Sequence, residues 1–425
     1  MKLLLLNVHS SQNAGDLAIL QETLLCLHTA FPNADVTVAI NDRESEHLPP
    51  GARYVGSFMR WVVVEDTKGE WHWRKGFALL QACWLILAAS LFRLFDWQFM
   101  PSRAEQQELM QAYYTADAVV VIGGGHLYAR HALNIAFAWL WLGLALAIIM
   151  RKPLVLLPQS FGPLPGKLQR RMLAWLVARC TFVATREYQS LKLLHVLHVR
   201  QPILVLPDMA FASQPIAEQT IHIPILNDIS DKHEPLIGFT LMNWEEQNPQ
   251  FRNQMQYEQA VLELIQHVKY QYGARVVLFA QCTGPTAGQD DRRIAKRLAA
   301  AAAMAQVSVL VADELVTPEM LKAAYQQLDV LVATRMHSAI FALSAEVPTL
   351  VIGYLHKSSG IMEMLGLNQH VIDINDVDSR LLQERFDNLW LERENVRNHL
   401  SIRIPAVRAT LQYLPILLRQ SIVSP

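Results

Sequence analysis

The chain has 425 residues and a formal net charge of −1, with 37 Lys and Arg against 38 Asp and Glu, so its overall charge gives no reason to expect nucleic-acid binding. Its length exceeds what one hydrophobic core usually serves and predicts two domains. Apolar residues make up 52% and charged residues 18% of the chain, which is greasier than an ordinary soluble domain and predicts that something beyond a normal core is buried.

The opening decapeptide MKLLLLNVHS is too short for a signal-peptide core and reads as the first strand, Leu3 to Val8. A polar loop, His9 to Asp16, leads into a periodic helical segment, Leu17 to Phe31. Within Asn13-Ala14-Gly15-Asp16 the glycine marks a sharp bend. Asp16 reads either as the cap of the following helix or, with Asn13, as a crevice residue. Asp35 to Ile40 is the second strand, and the region from Asn41 to about Arg74 has no clean period and is expected to be irregular.

Phe77 to Phe95 is apolar apart from Gln81, Ser90 and Arg93, with Trp71, Trp73, Trp84 and Trp97 around it and Arg74 and Lys75 at its start. It is expected to be either a membrane-surface helix or a buried core helix. Ala118 to Ile122 is a buried-type strand ending in Gly123-Gly124-Gly125-His126, where backbone N–H groups can approach a ligand or open a helix. A dinucleotide fingerprint fails here, because its third glycine would fall on Tyr128. Ile135 to Met150 carries no polar side chain. A membrane span there would put the Gly123 and Gln159 turns on opposite sides of a bilayer, so it is expected to be a helix between strands.

Leu154 to Leu157 is the next strand, followed by the turn Pro158 to Pro163 with Gln159. A helix with Arg170 and Arg171 precedes strand Thr181 to Ala184, after which Arg186 reads as a local ion pair with Glu187, a surface arginine or a ligand contact. The proline-containing stretch Phe211 to Pro235 is the expected linker. The pattern then restarts with strand Leu236 to Leu241, a helix near Tyr257 to Tyr272, strand Arg275 to Ala280, helix Arg292 to Ala305 and strand Val307 to Val311. The stretch from Asp329 to Gly360 is a strand, a turn through Thr334 to Ser338, an apolar helix and a second strand, Thr349 to Tyr354. From Ser379 onward the chain is helical and is expected to pack back on the body. Alternating strands and helices predict parallel sheets, whose ligands bind outside the strands' carboxyl ends. Arg335, His337 and Lys357 fall at such ends and point to an anionic ligand.

NAGDLAI, VVVIGGGHLY, PQSFGP and ATRE in the first half, with CTGPTAGQDDR, TRMHSAI and HKSSGIMEMLG in the second, make the chain resemble the polysaccharide pyruvyl transferases, the colanic-acid type included. That resemblance implies an α/β fold of two Rossmann-like doubly wound domains facing a cleft, in the GT-B manner. Residues 1–212 would form the acceptor side, with an apolar insertion near 60–115, and residues 213–425 the phosphoenolpyruvate side with C-terminal helices. It implies transfer of a pyruvyl group from phosphoenolpyruvate to sugar hydroxyls as a ketal, with a saccharide acceptor, free or lipid-linked, and with no cofactor.

Arg335, Arg186 and Lys357 are then the claimants for carboxylate and phosphate. His337 is the candidate acid, with His126 and His356 as substitutes, and Asp16 the candidate base. Asn13, Gly123, Gly124, Gly125, Gln159, Cys282, Thr283, Ser358 and Ser359 complete the expected substrate-binding set. The expected location is the cytoplasm, either free or peripheral on the inner face of the cytoplasmic membrane. A nucleotide-sugar glycosyltransferase on the same architecture and a catalytically inert membrane-associated scaffold are the alternatives.

The four cysteines, Cys26, Cys83, Cys180 and Cys282, are scattered without metal or disulfide spacing, as in a reducing cytosol. Asp290 and Asp291 read as the start of a helix, where carboxylates oppose its dipole, rather than as metal ligands. Turnover is therefore expected to survive a chelator. Activity lost to a chelator and restored by magnesium would reassign Asp290 and Asp291.

Overall fold

The computed structural model describes residues 1–65, 71–73, 75–214, 234–248, 251–354 and 356–423. The chain forms two compact units, the first from Met1–Ser11, Ile19–Met209 and Thr410–Pro425, the second from Gln12–Ala18 and Ala210–Ala409. The boundary falls after Met209 rather than after residue 212, and the units differ from the expected 1–212 and 213–425 at two further places. The loop Gln12–Ala18 groups with the second unit and the C-terminal end with the first. Most of the expected linker, residues 215–233, lies outside the described residues.

In the first unit, β1 (Lys2–Val8), β2 (Asp35–Ile40) and β3 (Arg53–Gly56) form one flank of a parallel sheet. A small antiparallel hairpin of β4 (Val63–Glu65) and β5 (Trp71–Trp73) follows. The other flank is β6 (Ala118–Val121), β8 (Leu154–Phe161), β9 (Phe182–Thr185) and β10 (Leu204–Val205), with β7 (Gly124–Leu127) paired to β8. The order β10-β9-β8-β6-β1-β2-β3 reverses between β1 and β6. Leu3, Leu4, Leu5 and Leu6 are all buried, as expected of a strand covered on both faces.

The second unit repeats this plan with β11 (Leu236–Thr240), β12 (Arg275–Phe279), β13 (Leu310–Ala312), β14 (Val330–Ala333), β15 (Thr349–Gly353) and β16 (Val371–Asp373). Its six strands are parallel in the order β13-β12-β11-β14-β15-β16, so its switch point lies between β11 and β14. Both halves are Rossmann-like and doubly wound.

Several local expectations are corrected. The first helix begins at Ala14 rather than Leu17, because the Asn13 carbonyl accepts from Leu17 N at 3.0 Å and its side chain accepts from Gly15 N at 2.9 Å. Asn13 therefore sits at the cap, and Asp16 lies in the first helical turn. The stretch 41–74 is not wholly irregular, since it supplies β3 and the β4–β5 hairpin. Strand β8 continues past Leu157 through Pro158, Gln159 and Ser160 to Phe161, all buried, so the expected turn is a strand.

The long apolar helix Lys75–Phe95 divides its two faces. Ala78, Leu85, Ala88 and Ala89 join the first unit's core, where helix Ile135–Ile149 contributes Phe137, Trp139 and Leu142. Its other face is exposed. The C-terminal helix Leu414–Val423 returns to the first unit, where the Arg419 guanidinium donates to the Ala30 carbonyl at 2.8 Å.

Central strand β11 has room for glycine only at Gly238. A Cβ there would lie 2.5 Å from Leu328 Cδ1 and 3.0 Å from both Leu331 Cδ1 and Phe279 Cε2, all in buried side chains. Gly238→Val is expected to destabilise the second unit by about 1–3 kcal/mol through overpacking. An unchanged thermal unfolding profile would contradict the packing described.

Candidate functional site

The carboxyl ends of the second unit's strands carry a dense polar cluster. Chain leaves β14 through Thr334 and Arg335, which occupies the cap position of helix Met336–Ser344, and His337 lies in that helix's first turn. Thr334 Oγ1 shares a buried 2.8 Å hydrogen bond with Tyr257 Oη. Arg335 is buried and pairs with Asp291 through two bonds, Nε to Oδ2 at 3.0 Å and Nη2 to Oδ1 at 2.5 Å. Its Nη2 also donates to the Gln289 carbonyl at 3.4 Å.

Arg335 thus does not offer a free planar fork to an anion, as the sequence suggested. The fork is occupied by Asp291, and among the described residues no hydrogen bond uses Nη1. Burial pushes the Asp291 carboxyl upward, against the pull of the Arg335 charge and of the Cys282 backbone amide. Burial works against the Arg335 charge, but the Asp291 carboxylate together with Cys282 and Tyr354 holds the guanidinium above its ordinary value. Asp290 caps helix Asp291–Met304 by accepting from Arg292 N at 3.0 Å, and its carboxylate pairs with the Arg292 guanidinium at 2.7 Å.

The loop Gln12–Ala18 completes the cluster. Thr283 N donates to the Gln12 carbonyl at 2.9 Å and Ala14 N to the Gln281 carbonyl at 3.2 Å, with an antiparallel bridge between Asn13 and Cys282. These bonds place the start of the first helix against His337. A Cβ on Gly15 would lie 2.1 Å from His337 Nδ1 and 2.6 Å from its Cβ, so the imidazole rests directly on the Gly15 backbone.

Beneath them, Gln281 Oε1 accepts from Ser338 Oγ at 2.9 Å and from Tyr325 Oη at 3.2 Å. Sequence reasoning missed Gln12, Gly15, Gln281 and Tyr325. The one local signal was Gly15 itself, since a glycine in a helix's first turns marks close approach by another group.

Of the remaining expected residues, Cys282 is buried, donates its thiol to the Gly284 carbonyl at 3.0 Å and is pushed up to about 12 by burial, so it shapes the loop from inside. Thr283 is half-buried, and its hydroxyl donates to the Gln12 carbonyl at 3.3 Å. Lys357, Ser358 and Ser359 lie in the first turns of helix His356–Leu365, after β15. Ser358 is buried, while the side chains of Lys357 and His356 lie outside the described ones.

In the first unit, Arg186 follows β9 and is the largest fully buried side chain. Its partner is not Glu187 but Asp208, at 2.5 Å, and its Nε donates to Ser160 Oγ at 2.6 Å. Glu187 instead caps helix Tyr188–Val196. Arg186 is thus neither a surface arginine nor free of partners, since its guanidinium is held inside the unit by Asp208 and Ser160. Gln159 is buried and its amide donates to the Ile122 carbonyl.

The Gly123-Gly124-Gly125 run enters strand β7 instead of opening a helix, with Gly124 at φ +140°, and a Cβ on Gly123 would lie 3.2 Å from the Pro158 carbonyl oxygen. Beyond β1 and β2, Asp42 Oδ2 accepts from Ser10 Oγ at 2.9 Å and from Ser11 N and Oγ at 2.9 and 2.8 Å. The rings of His9 and His126 face each other in parallel at 6.3 Å between centroids, and His9 is a further residue missed by sequence reasoning.

The model of the polysaccharide pyruvyl transferase family matches residues 13–356. The chain belongs to that family. Membership makes it a transferase and implies a saccharide acceptor. It is 23% identical over 394 residues to the amylovoran biosynthesis protein AmsJ of Erwinia amylovora, covering 89% of each chain.

Among solved structures it is similar to a UDP-GlcNAc 2-epimerase from Neisseria meningitidis, at 10% identity and TM-score 0.58 over 100% of both chains. It is also similar to the spinosyn forosaminyltransferase SpnP, at 14% identity and TM-score 0.51 over 100% of this chain and 99% of that one. These likenesses concern the fold, which is GT-B-like.

Gly15→Ala tests the contact with His337. The added methyl group is expected to displace the imidazole and cost about 1–3 kcal/mol of stability. Gly76→Ala is the control, because a Cβ there meets nothing within 4 Å. A family transferase with normal stability and an unmoved His337 resonance in the Gly15→Ala variant would contradict the geometry.

Proposed function

We propose that this family member transfers the pyruvyl group of phosphoenolpyruvate to two hydroxyls of a saccharide, forming a 1-carboxyethylidene ketal in exopolysaccharide or cell-surface glycan assembly. The observation that carries the donor half is the position of His337. It stands at the carboxyl-end switch point of a parallel sheet, at the start of a helix and against a backbone that leaves room for no side chain. The relative named for amylovoran biosynthesis supports the polysaccharide setting.

In this reading the first turn of helix Met336–Ser344, Arg335 Nη1 and Lys357 receive the donor's phosphate and carboxylate, because helix N-termini and cations favour anions. His337 as imidazolium gives its proton to the methylene carbon, which becomes the methyl group, and C2 becomes electron-poor. A sugar hydroxyl adds to C2, the C2–O bond to phosphate breaks, and a second hydroxyl closes the ring. The two hydroxyl protons balance the one taken by carbon and the one taken by phosphate. Asp16, in the same unit, is the carboxylate proposed to accept from a hydroxyl. In the first unit, His9, His126 and Asp42 at the strand ends offer the polar groups that saccharides use.

Two substitutions separate these roles. His337→Gln is expected to lower turnover by roughly 10²–10⁴-fold while phosphoenolpyruvate still binds. Arg335→Lys keeps a charge but loses the two-bond hold on Asp291, so both donor affinity and melting temperature should fall. Phosphate release with saccharide acceptors, single-turnover rates and melting temperatures with and without phosphoenolpyruvate provide the readout. Near-parental turnover of His337→Gln, or stabilisation by a nucleotide sugar and not by phosphoenolpyruvate, would refute this reading.

A further inference from the structure

The outward face of helix Lys75–Phe95 is as apolar as its inward one. Leu79, Leu80, Ile86, Leu87, Leu94 and Phe95 are between 44% and 69% exposed. Exposed Trp97 and Phe99 continue the surface beyond the helix, with ring centroids spaced 5.1 Å from Phe95 to Trp97 and 6.2 Å from Trp97 to Phe99. A run of large side chains like this exceeds the scattered apolar exposure normal for a soluble surface and marks a site of contact.

Among the described residues the charges beside it are mainly basic. Lys75 opens the helix, and exposed Arg93 and Arg103 stand at and beyond its far end. The acidic residue of this stretch, Asp96, has Lys152 as a charged neighbour. Apolar side chains bordered by arginines and by a tryptophan suit the boundary between lipid headgroups and acyl chains.

By length and composition Gly76–Phe95 would also suffice to cross a membrane. Ala78, Leu85, Ala88 and Ala89, however, are packed into the core that also holds β6 and β8, so the helix keeps one face on the folded unit along its length. That geometry fits a helix lying on a bilayer and not one passing through it.

We propose that this face seats the protein on an anionic lipid surface, with Leu79, Leu80, Ile86, Leu87, Leu94 and Phe95 entering the acyl boundary and Arg93 and Arg103 meeting the headgroups. The inference stands apart from the donor chemistry above, and its test needs no turnover.

Cys83 lies on the exposed face while Cys26, Cys180 and Cys282 are buried, so the full chain accepts a polarity-sensitive fluorophore at one native position. Vesicles containing phosphatidylglycerol are expected to shift its emission to the blue and to carry the protein down on sedimentation. Phosphatidylcholine vesicles should bind far more weakly, and salt should release the protein. Replacing both Arg93 and Arg103 by Gln is expected to weaken binding by about fivefold per charge. Leu80→Glu with Leu87→Glu changes exposed positions only, so the melting temperature should hold while vesicle binding is lost.

No emission shift with anionic vesicles would overturn the proposal. Equal binding to phosphatidylcholine would overturn its electrostatic half. A dimer in lipid-free solution, broken by the same leucine variants, would show that a second copy of the chain covers this face instead.

Discussion

The second unit's polar cluster depends on the buried ion pair of Arg335 with Asp291. A carboxylate removed from water costs several kcal/mol unless close partners replace its hydration. Asp291 has them in the Arg335 fork and in the Cys282 amide, which donates to Oδ2 at 3.0 Å. The pair ties the end of β14 to the loop after β12. Through Cys282 that loop bridges to Asn13, and Asn13 sets where the first helix begins. Gly15 and His337 meet as a consequence of this series of contacts, so the imidazole's position is determined far from its own backbone.

The same device occurs in the first unit. Arg186 leaves β9 as Arg335 leaves β14, and each arginine turns inward to an aspartate that arrives from another segment. A guanidinium held in this way positions the chain around a strand end without extending into solvent. Sheet carboxyl ends carry few backbone hydrogen bonds of their own, and these pairs give them fixed geometry. Replacing either pair by apolar groups would preserve burial but remove the directional bonds that align the loops.

The chain's unusually apolar composition has two separate sources. One is ordinary, as parallel strands covered on both faces and helix Ile135–Ile149 bury nearly continuous apolar runs. The other is helix Lys75–Phe95, which places apolar side chains on its packed face and its exposed face alike. Composition records the excess without showing where it lies.

Much of the fold was legible in the sequence because its signals are local. Buried parallel strands read as short apolar runs at Leu3–Val8, Ala118–Ile122, Leu236–Leu241 and Val330–Ala333, and their alternation with helices determined the class. Seven motifs in a characteristic order pointed to the family, and Arg335 and His337 could be placed at a strand end. Tertiary structure alone decided the partners. Arg335 and Asp291 are 44 residues apart, Arg186 and Asp208 are 22 apart, and neither distance carries a local signature. The same holds for the grouping of Gln12–Ala18 with the second unit and for the contact of Gly15 with His337. Periodicity reports which face of a segment avoids water, whereas the partner of a buried charge is set by which distant segments folding brings within about 3 Å.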